Sequence, residues 1–109
     1  MGLRELAPKF CKEAGHETVQ WGLAIKVLKR IFTAFPWWDD KDVLRVARMA
    51  YIENGGRPVV LYRLSPANAR RLYALAEETG DGRFYDARES SQAARVFEYL
   101  MKAAEKKGQ

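Results

Sequence analysis

Cysteine is almost missing from this chain of 109 residues, in which Cys11 stands alone. A single cysteine closes no internal disulfide, so a small secreted scaffold held together by crosslinks is excluded. Cys11 is expected to act as a small buried apolar residue. Histidine is as sparse. His16, beside Gly15, has no Cys or carboxylate at ligand spacing and reads as a loop or capping residue, not a metal ligand or general base. The first ten residues, MGLRELAPKF, hold no uninterrupted apolar run, so no signal peptide is expected. Leu6 at the sixth position breaks the myristoylation pattern. The one long apolar stretch carries Lys26, Lys29 and Arg30, which argues against a membrane span. A cytoplasmic location is the default that remains. Asparagine occurs only as Asn54 and Asn68 while Arg, Glu and Ala abound, a balance that suits a thermophile.

Catalytic signatures are missing as well. Gly55-Gly56 and Gly80-Asp81-Gly82 are too short for a phosphate loop or dinucleotide fingerprint and read better as turns. Asp39, Asp40 and Asp42 gather at a helix start, where capping explains them without a metal. No spacing favours a pair of general acids. The sequence therefore predicts no enzyme, no cofactor and no metal.

What is present is an ordinary globular composition, 48% apolar and 30% charged, of a length suited to one domain spanning residues 1–109. The net charge of +5, with a pI near 9.5, leans toward a polyanionic partner.

Along the chain, Leu3, Leu6, Ala7, Phe10 and Cys11 keep helical spacing up to Gly15, with Pro8 marking either a start or a kink. A long helix over Thr18–Phe35 follows. Val19, Leu23, Val27 and Ile31 form one apolar stripe, and Trp21, Ile25, Leu28, Phe32 and Phe35 form its neighbour, leaving a narrow polar strip. Such a helix is expected to be buried among other elements, as the centre of the fold. Pro36 ends it. Asp39 caps a third helix that runs to the stop Asn54-Gly55-Gly56, with Lys41, Arg45 and Arg48 along one face. Residues 57–64, RPVVLYRL, read as a strand between turn signals. Ser65-Pro66 opens a fourth helix with Ala69, Leu72, Tyr73 and Ala76 inward, and Gly80 ends it. Arg83-Phe84-Tyr85 reads as a second short strand. Asp86 with Glu89 then caps a last helix whose face carries Ala93, Val96, Phe97, Leu100 and Ala104. The expectation is a mainly helical α+β fold in the order α-α-α-β-α-β-α, with a buried central helix and a small sheet. The apolar last helix either closes the core or joins subunits in a homo-oligomer.

Binding residues are easier to find than catalytic ones. No acid occurs between Glu53 and Glu77, whereas Arg57, Arg63, Arg70 and Arg71 all fall there, interleaved with Tyr62 and Tyr73. Arg83 continues the pattern. Arginine forks suit phosphates, and aromatic faces stack on unpaired bases. Core rings and solvated arginines would give the same composition. Trp37 and Trp38, adjacent in a loop, cannot both enter one core pocket, so one of them is expected to be accessible. Arg45 and Arg48 are either a solvated helix face or a contact to a phosphate backbone.

Two resemblances follow from these residues. The segment from Trp38 to Leu64, a basic helix running into RPVVLYRLS, looks like the end of a winged-helix domain and implies a duplex-DNA-binding regulator reading through Arg45 and Arg48. It departs from that pattern where Ser65-Pro66 starts a helix in place of a hairpin partner. The whole pattern, carried by Trp37, Trp38, Arg57, Tyr62, Arg63, Arg70 and Arg83, resembles the small archaeal single-stranded DNA-binding proteins related to ThermoDBP. That resemblance implies sequence-tolerant binding of single-stranded DNA by a homo-oligomer, and it is the leading expectation. A third reading, a helical assembly subunit that binds another protein through Val96, Phe97 and Leu100, stands beside them.

Overall fold

The computed structural model describes residues 2–81, which form four helices joined by short loops. Helix α1, Leu3–Glu13, begins where the Gly2 carbonyl accepts the Glu5 and Leu6 amides. It passes through Pro8. Proline has no N–H to give the Arg4 carbonyl, but Arg4 lies in the exposed first turn, where water can serve that group. Leu6, Ala7, Phe10 and Cys11 face inward, and Gly15 at φ +92° ends the helix with the His16 amide bonded back to the Cys11 carbonyl at 3.0 Å.

Helix α2, Trp21–Ala34, starts three residues later than the sequence suggests, because Gln20 supplies no side-chain cap and the first turn has no acid. Pro36 sets its end. The residue before a proline is pushed out of the helical region, and Phe35 accordingly sits at φ −128°, ψ 71°. Helix α3, Asp40–Glu53, has a reciprocal capping box: the Asp42 amide donates to Asp39 Oδ1 at 3.0 Å and the Asp39 amide donates to Asp42 Oδ2 at 2.9 Å. Gly55 and Gly56, both at positive φ, close it, with the Gly56 amide on the Tyr51 carbonyl. Helix α4, Pro66–Thr79, has Ser65 as N-cap to the Asn68 amide and ends at Gly80 in the left-handed region.

Two expectations are corrected here. The helix read as central, α2, buries only Ala24, Val27, Leu28 and Ile31, while Ile25, Phe32 and Phe35 are half-buried and Trp21 is 48% exposed. The central place belongs to α3, which buries six residues between α1 and α4, whereas α2 packs mainly on α1. Apolar residues around a helix record how much surface could be covered, not how many neighbours arrive.

The small sheet is the second correction, since the described residues contain no strand. The stretch 57–64 has no regular structure over Pro58–Val60, with Val60 extended at φ −68°, ψ 109°, and then turns as a 3₁₀ helix over Leu61–Arg63. Among the described residues, its one backbone–backbone hydrogen bond to another element is with the end of α1. The Val59 amide donates to the Ala14 carbonyl at 2.9 Å, and His16 Nε2 donates to the Val59 carbonyl at 2.6 Å. Gln20 Nε2 donates to His16 Nδ1 at 3.2 Å, which requires the Nε2–H tautomer. Asn54 Nδ2 holds the same loop by donating to the carbonyls of Arg57 and Pro58. With Val59 satisfied this way, no strand partner is needed. Val59, Leu61 and Leu64 are buried beside Phe10, Leu28, Ile31, Met49, Ile52 and Leu72 in one core, each large side chain contributing about 1.5–3 kcal/mol. The second strand over 83–85, the last helix, and the self-association expected of it lie outside the described residues. Among the described residues no helix is long and apolar enough to cross a membrane.

Candidate nucleic-acid interface

The aromatic residues around Pro36 form a column. Because Phe35 leaves the helical region, its ring stacks on Trp38 at 4.3 Å and 20°. Trp38 stacks in turn on Tyr73 of α4 at 5.0 Å and 24°. The guanidinium of Arg45, one turn into α3, lies 5.0 Å over the Tyr73 ring, within cation–π range. At the other end Trp37 meets Phe35 edge-on, 5.8 Å away at 78°, and is 74% exposed. The two adjacent tryptophans thus divide as their adjacency requires. Trp38 is held between two rings, and Trp37 offers its ring to solvent.

The arginines divide too. Arg71 is committed: it donates twice to Glu53, at 2.6 Å each, and its Nε donates to Asn68 Oδ1 at 2.9 Å. Glu53 sits at the edge of the acid-free span, so that span does not leave all of its arginines available. Arg45 is ion-paired with Asp81 just past the end of α4. The hydrogen bonds they donate to Asp81 and Glu53 hold the two guanidiniums above their ordinary pKa, so both remain cationic throughout any working pH range. Arg48, Arg57, Arg63 and Arg70 are exposed, with no carboxylate partner among the described residues.

Arg45 and Arg48 do come together. With Lys41 they line an open groove of about 330 Å³ on α3, whose other walls are Leu44, Met49, Glu13 and Asp81. Arg45 therefore belongs both to this groove and to the aromatic column. Arg70 lies three positions before Tyr73 on α4, on adjoining helical surface. Arg57, Tyr62 and Arg63 follow α3 on the loop and 3₁₀ turn. Tyr62 is 67% exposed and makes no ring contact with the column among the described residues. Arg83 lies outside the described residues.

Sequence reasoning overlooked Phe35 as a member of the column and the exposure of Trp21, and it placed Tyr73 among the binding aromatics and Lys41 on the basic face of α3 without joining either to its partners. Phe35 carried a signal, standing next to Pro36-Trp37-Trp38. The pairings of Tyr73 and Asp81 carried none, because their partners lie on other elements. Comparisons with protein-family models, curated proteins and solved structures find nothing that matches this chain.

Proposed function

We propose that the chain is a non-enzymatic single-stranded nucleic-acid-binding protein, largely indifferent to base sequence. The observation that carries this reading is the exposed Trp37 ring at one end of an aromatic column whose other end is Arg45. A supported, accessible ring is what an unpaired base stacks on, and a cationic groove at the far end of the same column suits the backbone of the same strand. Lys41 and Arg48 hold phosphates, Trp37 takes a base, and Arg57, Tyr62, Arg63 and Arg70 extend the surface. The preference for DNA over RNA rests on the resemblance described above. Residues 57–64 do not form the wing that a winged-helix reader of duplex would carry, which favours single strands.

Fluorescence anisotropy with labelled single strands of about 16 nucleotides tests the reading. With about three phosphate contacts, raising salt fourfold is expected to weaken binding about 20-fold, and changing base composition is expected to alter it little. Arg71→Ala is expected to leave affinity unchanged and to cost at most about 1 kcal/mol of stability, because its guanidinium serves Glu53. Absence of binding at low salt, or a preference for duplex of the same sequence, defeats the proposal.

A further inference from the structure

The α3 groove holds cations at three positions of one helix face, Lys41, Arg45 and Arg48, together with two carboxylates from other parts of the chain. One of these, Glu13 at the end of α1, makes no ion pair with a groove cation among the described residues; the other, Asp81, is paired with Arg45. Asp81 reaches it from an unusual backbone. It is the one non-glycine among the described residues at positive φ, +61°, and its amide is tied to the Ala76 carbonyl at 2.7 Å. Aspartate tolerates that conformation better than most residues. The left-handed pair Gly80–Asp81 carries the chain beyond α4 and sets the carboxylate against the groove arginine.

We infer that this groove is a phosphate subsite and that the Asp81 carboxylate occupies it as an internal stand-in for the phosphate. A carboxylate and a phosphate oxygen present the same acceptor to a guanidinium, so a ligand phosphate competes with Asp81 for Arg45. With Asp81 in place the groove retains a single net positive charge, enough to attract an anion and low enough to restrain binding. Arg45 lies above Tyr73, so a phosphate that takes the place of Asp81 is held by the same residue that ends the aromatic column. The inference deepens the single-strand reading and names the place of one backbone phosphate.

The test uses the full chain with three probes: a single-stranded DNA, an abasic deoxyribose-phosphate oligomer of the same length, and inorganic pyrophosphate. Asp81→Asn is expected to tighten binding of the abasic oligomer about fivefold at low salt, the gain of roughly one phosphate contact. Glu13→Gln, which removes equal charge from the same groove without freeing an arginine, is expected to change it less than about twofold. Lys41→Ala with Arg48→Ala is expected to lose about tenfold and to flatten the salt dependence by more than one power of concentration. A gain by Asp81→Asn on pyrophosphate alone assigns the subsite to a free phosphate, and a gain on the abasic oligomer assigns it to a nucleic-acid backbone. Either gain upholds the phosphate subsite even when single-stranded DNA fails to bind. Equal gains from Asp81→Asn and Glu13→Gln, or no gain from Asp81→Asn, overturn it while leaving strand binding by the unaltered protein to stand on its own.

Discussion

Trp37→Ala is expected to weaken single-strand binding about 30-fold while leaving thermal stability almost unchanged. Base–aromatic stacking contributes about 1–3 kcal/mol per base, and the middle of that range corresponds to this loss. The fold depends little on the ring, because Trp37 is mostly exposed and touches the column only by an edge contact with Phe35. Trp38→Ala is the contrasting case. Trp38 stacks on both Phe35 and Tyr73, and such ring pairs contribute about 0.5–1.5 kcal/mol each beyond their burial. Its loss is expected to lower the melting temperature first and to affect binding through the displaced column. Trp37→Phe, which keeps a face for stacking, is expected to recover most of the affinity. Anisotropy titrations and thermal melts on the three variants separate these effects. Unchanged affinity in Trp37→Ala removes the main support for the proposed function.

Gly15→Ala is expected to cost about 3 kcal/mol of folding stability. Two penalties combine. Gly15 sits at φ +92°, where an L side chain is strained by about 1–2 kcal/mol. A Cβ there would also stand 2.6 Å from Tyr51 Cε1 and 3.2 Å from the Pro58 Cα, an overpacking of the kind that costs about 1–3 kcal/mol. In a domain of this size the melting temperature falls by roughly 15 °C or more. Gly55→Ala separates the two causes, because Gly55 has positive φ, +72°, but open space around it, and is expected to lose only about 1 kcal/mol. Gly22→Ala, inside α2 with nothing near its missing Cβ, is expected to gain about 0.5–1 kcal/mol. If Gly15→Ala melts no lower than Gly55→Ala, the close approach of Tyr51 carries no energy.

Helix limits were legible in the sequence wherever a cap or stop marks them, because capping is local chemistry, and were missed at the uncapped start of α2. Asp39 and Asp42, Ser65-Pro66, Asn54-Gly55-Gly56 and Gly80 each act within a few residues of the boundary they set. The course of residues 57–64, expected as a strand, was not legible, and its own pattern explains why. Val59 and Leu61 alternate with Val60 and Tyr62 as a strand would, yet Leu61 and Leu64 are also spaced as one 3₁₀ turn, and both are buried. Contacts from distant residues decided between the two periods, through Ala14 and His16. The candidate site was legible to a similar depth. Aromatic residues around a proline and arginines in an acid-free span pointed to residues that the fold leaves largely at the surface, whereas Glu53 and Asp81 selected which arginines are held and which are available. Those pairings span 18 and 36 residues, and nothing local announces them.

The bonds between the end of α1 and Val59 also bear on the lifetime of the folded state. His16 and Val59 lie 43 residues apart, so the contact closes a loop that contains all of α2 and α3. Holding such a loop shut costs chain entropy, and that cost is smallest once the two helices inside it have already packed. The clasp is therefore expected to form after the folding barrier and to open before the reverse one. Weakening a contact of that kind accelerates unfolding and leaves the folding rate nearly unchanged. Damage at Gly15, His16 or Val59 is accordingly expected to shorten the time the native state persists, with little effect on how quickly it is reached.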